Sequence, residues 1–150
     1  MEETFAIIKP DGYPRREEIV SLLQDLGFSV LGRRDASMER AGTEEFYAEH
    51  KGKAFYDDLI QFMTSGPVLL LHLEAADGIA RLRKIIGCSD PAKAEQGTIR
   101  QKFGSGGMIN AIHASDSPAS AKRELQMFFP TLPVPRKDLP SLEASVRLAV

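Results

Sequence analysis

Apolar positions along the chain follow two spacings, which predict strands alternating with helices. Short β-branched or aromatic runs indicate strands, and apolar residues three and four apart indicate amphipathic helices. The strand-type runs are Thr4–Ile8, Phe28–Arg33, Val68–Leu73 and Asn110–His113. The helix-type segments are Arg15–Leu26, Thr43–His50, Phe55–Thr64, Asp77–Ile86, Thr98–Phe103 and Ser117–Phe128, and Ser141–Val150 is compatible with one or two more turns. This order predicts a single mixed or antiparallel sheet with helices on one face.

Residues at the segment ends support these boundaries. Thr43 and Ser117 are expected as N-caps, because their hydroxyls accept hydrogen bonds from free backbone N–H groups. Pro118 suits the first helical position, and Gly87 suits the residue that follows a helix. Four prolines at 130, 133, 135 and 140 predict an extended, irregular segment after the last helix.

Composition and charge exclude several classes of protein. The 150 residues are 43% apolar and 27% charged, as in an ordinary globular domain, with a net charge of −2. That balance gives no electrostatic reason to expect a specific nucleic-acid partner or an anionic membrane. No apolar run is long enough to span a bilayer. Cys88 is the single cysteine, and the start of the chain is acidic, so we expect a cytoplasmic location.

His113 is the histidine placed best for chemistry. It lies between a predicted strand and a predicted helix and is followed by small residues, which leave room for a ligand. Glu124, in that helix, can orient one ring nitrogen while the other stays a free nucleophile. His72 is expected to be a packed core or edge histidine, and His50 a solvated one. No His/Cys pair has the spacing of a zinc site.

Three cations and a hydroxyl form a second candidate group. Lys9 follows the first strand, and Arg83 and Arg100 lie on predicted helices. Arg100 is two residues after Thr98. Taken singly, each cation is expected to be a solvated surface charge. Taken with His113, the group suits a triphosphate, whose charge is neutralised as a phosphoryl group moves. The P-loop sequence pattern is not present, so a P-loop enzyme is excluded.

These residues lie in blocks that resemble the nucleoside diphosphate kinase family. The segment NAIHASDSP, from Asn110 to Pro118, is similar to that family's active-site signature. Four further blocks resemble the family in the same order: TFAIIKPDG, TSGPVLLLHLE, QGTIR and SPASAKRELQMFFP. The resemblance covers Glu3 to Pro130. It implies a domain over residues 1–130 with a ferredoxin-like fold, a four-stranded antiparallel sheet covered by helices.

The resemblance also implies an activity and its residues. Family members pass the γ-phosphate of a nucleoside triphosphate to a nucleoside diphosphate through a histidine, with Mg²⁺ bridging the phosphates. His113 matches that histidine, Glu124 the glutamate that orients it, and Ser115 a serine that hydrogen-bonds nearby. Phe55 matches the aromatic residue on which the base stacks. The residues that match positions around the phosphates, the ribose and the histidine are Lys9, Tyr47, Arg83, Ser89, Arg100 and Asn110. Without the resemblance, Phe55 and Tyr47 are read as core residues.

The chain departs from the family pattern in several places. Ser89 stands where a threonine is usual, and Gln96 stands where a proline is usual. The chain between Gly12 and Phe28, which contains the first helix, is about two residues shorter than in typical members. The proline-rich tail, residues 131–150, also differs. Several apolar side chains among its prolines predict that it packs on the domain or on a neighbouring subunit of a homo-oligomer, whether hexamer, tetramer or dimer. The alternative function is a non-catalytic nucleotide-binding or protein-interaction module on the same fold.

Overall fold

The centre of the fold is an antiparallel β-sheet. The computed structural model describes residues 1–130 and, for the backbone alone, residues 146–148. Within these residues the strands are β1 (Glu2–Ile8), β2 (Ser29–Met38), β3 (Pro67–Ala75), β4 (Ile112–Ala114) and β5 (Val146–Leu148). Their order is β4-β1-β3-β2-β5, and every neighbouring pair is antiparallel. The first four strands form the predicted four-stranded sheet of the ferredoxin-like fold.

Helices cover both faces of this sheet. They are α1 (Arg16–Asp25), α2 (Arg40–Phe46), α3 (Tyr56–Met63), α4 (Gly78–Ile86), α5 (Ile99–Phe103) and α6 (Pro118–Phe128), with 3₁₀ turns at Tyr13–Arg15 and Ala48–His50. One apolar cluster joins α2, α3 and α6 to one face of the sheet, and a second joins α1, α4 and α5 to the other. The expectation of helices on one face is therefore wrong. The reason lies in β3, whose apolar run is nearly continuous. A strand without polar alternation is buried on both faces, so helices must cover both sides of the sheet.

Three further predictions about local structure differ from what is observed. α2 begins at Arg40, so Thr43 lies inside the helix, where its hydroxyl donates to the carbonyl oxygen of Glu39 at 2.7 Å. β2 continues to Met38, beyond the predicted end at Arg33, with a register shift between Val30 and Gly32.

The third difference concerns the tail. Val146–Leu148 is a strand that pairs with Ala36–Met38, where a helical turn was predicted. The predictions for residues 131–145 and 149–150 lie outside the described residues.

The boundaries of the remaining elements follow the predicted signals. α6 begins with Ser117 as N-cap, whose hydroxyl accepts from the backbone N–H of Ser120, and Pro118 fills the first turn. α4 ends at Gly87, which has a φ of +94°. Within the two described ranges, none of the helices has the length and apolar character needed to cross a bilayer.

Candidate active site

A cavity of about 620 Å³ gathers most of the predicted site residues. They come from the loop after β1, the residue that follows α2, the residue that precedes α3, α4 and the loop after it, α5, and the segment that runs from Asn110 through β4 to α6. Its wall contains Lys9, Tyr47, Phe55, Arg83, Ser89, Arg100, Asn110, His113 and Glu124. Ser115 lies beneath this wall and is fully buried. The fold therefore brings together residues that are more than 100 positions apart in the sequence.

His113 is held by a buried carboxylate. β4 pairs with β1, which places Ile7 opposite His113 and fixes the strand. The ring Nε2 of His113 lies 2.7 Å from Oε1 of Glu124, and Ser115 Oγ donates to that same oxygen at 3.0 Å. Because a carboxylate only accepts hydrogen bonds, the neutral ring carries its hydrogen on Nε2. The lone pair then lies on Nδ1, which has no hydrogen-bond partner among the described residues.

Aromatic rings fix the plane of the imidazole. The ring of Phe46 meets it edge-on at a centroid distance of 5.1 Å, and the ring of Tyr47 does so at 6.1 Å. The His113 side chain is 21% exposed, against 7% for the Glu124 side chain. The imidazole is thus packed on its sides and open towards the cavity, which is the arrangement that a nucleophile requires.

Two buried cations face the same cavity. Lys9 and Arg100 are each 5% exposed. Lys9 Nζ donates to the carbonyl oxygen of Met108 at 3.3 Å, and no ion pair to either cation is found in the described part of the chain. Burial, aided by the nearby Arg100, lowers the pKa of Lys9 to about 7. Burial, aided by Arg83, lowers the pKa of Arg100 to about 10. Both shifts express a desolvated positive charge, which an anionic ligand would relieve.

The two arginines are anchored on the strand that carries His113. Arg100 donates from Nη2 to the carbonyl oxygen of Ile112 at 2.9 Å and from Nη1 to that of Gly87 at 3.1 Å. Arg83 donates from Nη1 to the carbonyl oxygen of Ala114 at 3.3 Å. The carbonyls on either side of His113 therefore set the positions of both guanidinium groups relative to the imidazole.

Neutral polar groups complete the buried part of the cavity. Asn110 Nδ2 donates to the carbonyl oxygen of Ser89 at 2.8 Å. Asn110 Oδ1, Tyr47 Oη and Arg100 Nε are buried and have no partner among the described atoms. Burial raises the pKa of Tyr47 above its usual value, so the phenol stays protonated and able to donate. Such unsatisfied buried groups fit a polar ligand, because leaving them unpaired is costly.

A strained turn precedes the histidine strand. Ala111 has a φ of +73°, and the N–H of Ile112 donates to the carbonyl oxygen of Asn110 at 2.9 Å. This is a γ-turn of the rare positive-φ type, and a non-glycine residue in that region costs about 1–3 kcal/mol. Gly12 makes room for it, since a Cβ at Gly12 would lie 2.8 Å from the carbonyl oxygen of Ala111.

The mouth of the cavity is exposed and aromatic. Phe55 is 41% exposed, and the ring of His50 lies 5.5 Å from it. Lys53 Nζ lies 5.8 Å from the centroid of Phe55 and 3.1 Å from Nδ1 of His50. His50 thus lines the cavity, where the sequence predicted a solvated residue.

Several side chains are buried where a solvated position was expected, or exposed where a core position was expected. Lys9 and Arg100 are buried, so their interpretation as solvated surface charges is wrong, while Arg83 is exposed. Phe55 is exposed and is not a core residue, whereas Tyr47 is buried. His72 lies outside the cavity and is 9% exposed, as expected for a packed histidine. Its Nε2 forms a hydrogen bond with Oε1 of Glu3 at 2.6 Å.

Sequence reasoning missed several residues of the site. Asp116, Met108 and Leu59 line the cavity. Asp11 accepts the N–H of Ala111 and was interpreted only as part of a turn. Asp116 lies within the signature segment, so the resemblance could have identified it. Met108 and Leu59 have no sequence signal beyond their hydrophobicity. Within the described residues, no group of three or more His, Cys, Asp or Glu side chains is placed to hold a metal ion.

Comparison with known proteins agrees with this geometry. The family model for nucleoside diphosphate kinase matches residues 2–134. A nucleoside diphosphate kinase from Sorangium cellulosum is 44% identical over 131 residues, which cover 86% of this chain and 91% of that protein. One from Halalkalibacterium halodurans is 46% identical over 131 residues, which cover 86% and 89%. The solved structure of a halophilic nucleoside diphosphate kinase from Halobacterium salinarum in complex with CDP has a TM-score of 0.82 and 37% identity, covering 85% of this chain and 87% of that one. The chain belongs to the nucleoside diphosphate kinase family.

Proposed function

We propose that this protein transfers the γ-phosphate of a nucleoside triphosphate to a nucleoside diphosphate through a phosphohistidine at His113. The observation that carries the proposal is the pairing of His113 Nε2 with Glu124 at 2.7 Å, which leaves Nδ1 without a partner among the described residues, in the wall of a cavity that Lys9 and Arg100 also line. A neutral imidazole is a competent nucleophile at pH 7.

The first half-reaction forms the phosphoenzyme. The lone pair on Nδ1 of His113 attacks the γ-phosphorus, and the bond from that phosphorus to the β–γ bridging oxygen breaks, which releases the diphosphate. The ring becomes cationic as the N–P bond forms, and the Glu124 carboxylate at Nε2 stabilises that charge. The second half-reaction is the reverse of these steps with another diphosphate as acceptor, so the kinetics are ping-pong.

The phosphate-binding residues act by position and charge. A loose phosphoryl-transfer transition state has little covalent demand, so catalysis depends on alignment and charge stabilisation. We assign Arg83 and Ser89 to the phosphates. Lys9, Tyr47, Arg100 and Asn110 are assigned together to the surroundings of the phosphates, the ribose 3′-hydroxyl and His113. Ser115 holds the carboxylate of Glu124 through its hydroxyl.

The base is assigned to the mouth of the cavity. Phe55 presents an exposed ring, and stacking reads a π-face that every base possesses. Broad tolerance of the base follows from this.

Mg²⁺ is proposed as the cofactor, bound mainly through the nucleotide. The residues present fit this role, because Mg²⁺ is bound by substrate phosphates and water together with one or two carboxylates, and Asp116 lines the cavity. Asp116 is the cavity carboxylate nearest to His113 along the chain. When bound, Mg²⁺ supplies charge neutralisation on the phosphates.

Two further predictions remain to be measured. The cytoplasmic location rests on the lone, exposed thiol of Cys88 and the composition. The homo-oligomer, with the tail of residues 131–150 packed on the domain or on a neighbouring subunit, rests on the apolar content of that tail.

Labelling tests the main proposal. Incubation with γ-³²P-ATP and Mg²⁺ should label the protein with phosphate that is acid-labile and base-stable, and GDP should remove the label as GTP. His113→Ala should take up no label, whereas His72→Gln, outside the cavity, should label like the unmodified protein. Label retained on His113→Ala would refute the assignment. No turnover of GDP by the unmodified protein would favour the non-catalytic binding module.

A further inference from the structure

The strained turn before β4 is bonded on both sides by one segment, Lys9–Gly12. The N–H of Ala111 donates to Oδ2 of Asp11 at 3.0 Å, and the carbonyl oxygen of Ala111 accepts from the N–H of Lys9 at 2.8 Å. We propose that Asp11 is a positioning residue, which holds Ala111 in its γ-turn and thereby aims Asn110 and His113 at the nucleotide. This inference rests on the proposed function.

Strain of this kind persists only where the surroundings enforce it. Ala111 is fully buried, so its N–H has no access to water and depends on the carboxylate of Asp11. Alanine rarely adopts a positive φ without such enforcement. Asp11 supplies a charged acceptor, which makes a stronger hydrogen bond than a neutral one.

The turn controls three functional groups at once. Asn110 precedes Ala111, and its amide bonds to the carbonyl of Ser89. Ile112 follows, and its carbonyl oxygen anchors Arg100. His113 comes next in the same strand. A relaxed turn would displace all three, and a shift of about 1 Å in a reacting group can cost about 100-fold in rate.

The carboxylate also faces Lys9. Burial and Arg100 lower the pKa of Lys9, and the charge of Asp11 opposes them by raising it. Two contributions of Asp11 can therefore be separated by substitution. Asp11→Asn keeps an oxygen that can accept from Ala111 but removes the charge, and Asp11→Ala removes both.

Ala111→Gly provides the decisive partner substitution. Glycine adopts a positive φ without steric cost, so a glycine at this position makes the γ-turn less dependent on the clamp. If Asp11 acts by holding the turn, Ala111→Gly should restore activity to the Asp11→Ala variant. A residue that only stabilised the fold would lower the fraction of folded protein, without changing the rate per active site.

The experiment measures phosphoenzyme formation from ATP by rapid quench. Rates are normalised to the burst amplitude, which counts active sites, and circular dichroism checks the fold. For Asp11→Ala we expect the maximal rate constant of phosphoenzyme formation to fall on the order of 100-fold, with a smaller change in the ATP concentration that gives half of that rate. Asp11→Asn should retain most of the activity that Asp11→Ala loses. The double variant Asp11→Ala/Ala111→Gly should be about tenfold or more faster than Asp11→Ala. Asp25→Ala, on an exposed position of α1, is the matched control and should behave like the unmodified protein.

Two results would overturn the inference. One is an Asp11→Ala variant with a rate within about threefold of the unmodified protein, well short of the expected loss. The other is a folded double variant that regains nothing from glycine. If Asp11→Ala does not fold, Asp11→Ser is measured in its place. Serine keeps a polar group at position 11, but its side chain is shorter than that of aspartate and does not reach the N–H of Ala111, so the same loss of rate is expected. An inactive unmodified protein would instead contradict the proposed function.

Discussion

At the inner end of the cavity Lys9 and Arg100 are buried and bonded to backbone carbonyls, whereas at the mouth the ring of Phe55 is exposed. Arg100 is 5% exposed and bonds to two carbonyl oxygens, one of them next to His113. Phe55 is 41% exposed, and its neighbour Lys53 is also exposed. The inner end, to which we assign the phosphates, is therefore preorganised, and the mouth, to which we assign the base, is an open surface.

This difference assigns a separate task to each end. Preorganised charges stabilise a transition state because they need not reorient as the phosphoryl group moves. An open ring face stabilises any base by stacking and distinguishes bases poorly. Substitutions at the inner end should accordingly lower kcat, and substitutions at the mouth should raise KM with little effect on kcat.

The largest effect is expected for Glu124→Gln. The amide can donate to Nε2 of His113, which moves the ring hydrogen to Nδ1 and blocks the nucleophilic lone pair. Exchanging the carboxylate that orients a catalytic histidine for an amide costs up to about 10⁴-fold in serine proteases, so we expect a loss of about 10²- to 10⁴-fold here. Rapid-quench measurement of phosphoenzyme formation tests this, with the exposed Glu45→Gln as control. An unaffected rate would show that Glu124 does not set the tautomer.

Lys9→Gln should have the next largest effect. It removes a buried charge that lines the cavity and that we assign to the phosphates, and loss of one such group costs about 10²- to 10³-fold in enzymes that stabilise developing charge. The loss should appear in kcat/KM for every nucleotide alike. The exposed Lys84→Gln on α4 serves as the control in steady-state assays. A loss confined to one base would contradict the division between the two ends.

A smaller effect, and one on binding, is expected for Phe55→Ala. Base stacking on an aromatic side chain contributes about 1–3 kcal/mol, and the exposure of Phe55 favours the lower part of that range. KM should rise by about 5- to 30-fold for purine and pyrimidine nucleotides, with kcat nearly unchanged. Phe55→Tyr, which retains a ring face, should restore KM. A fall in kcat that matched the rise in KM would place Phe55 in the chemical step instead.

The smallest expected effect is the uptake of a proton by Lys9 when a nucleotide binds. Its pKa is lowered to about 7 in the folded protein, so at pH 8 most molecules without nucleotide carry a neutral amine. A bound polyphosphate favours the ammonium form, and ADP binding at pH 8 should therefore take up just under one proton. Affinity should weaken as the pH rises above 7. Calorimetry in two buffers of different ionisation enthalpy measures the uptake, and Lys9→Gln should abolish most of it.

The same shift has an opposite consequence for stability. Since the folded pKa of Lys9, about 7, lies below the ordinary lysine pKa of 10.5, the unfolded chain binds more protons between these pH values. This group therefore destabilises the fold fully below pH 7, and its penalty is relieved as the pH rises towards 10.5.

Elements with strong local signals were predicted well from the sequence. The apolar run of β3, the Ser117-Pro118 start of α6 and the Gly87 end of α4 are all confirmed. In each case one physical requirement acts within a few residues, such as burial of a strand or capping of a helix end.

Predictions that depended on tertiary context were less successful. Thr43 has the composition of an N-cap, but α2 begins at Arg40 and the hydroxyl bonds back to Glu39. The charged residues of β2 after Arg33 resemble a loop, yet pairing with β3 continues to Ser37 opposite Pro67. Local composition cannot show that a neighbouring strand supplies the hydrogen bonds.

Many of the residues that line the cavity could be predicted, but the way the fold holds them in place could not. Resemblance to a family selected the residues that line the cavity. The γ-turn at Ala111 has no sequence signal, because alanine favours a negative φ and the clamp at Asp11 lies 100 positions away. The cavity position of His50 likewise depends on the 3₁₀ turn after α2, which the predicted continuous helix did not contain.

The position of the phosphate on the imidazole tests the central claim most directly. Protein labelled with ATP and Mg²⁺, then studied under mildly basic conditions by ¹H–³¹P correlation NMR, reveals which ring nitrogen is bonded to phosphorus. The pairing of Nε2 with Glu124 predicts phosphate on Nδ1 of His113. Phosphate on Nε2, or on another residue, would contradict this account of the site.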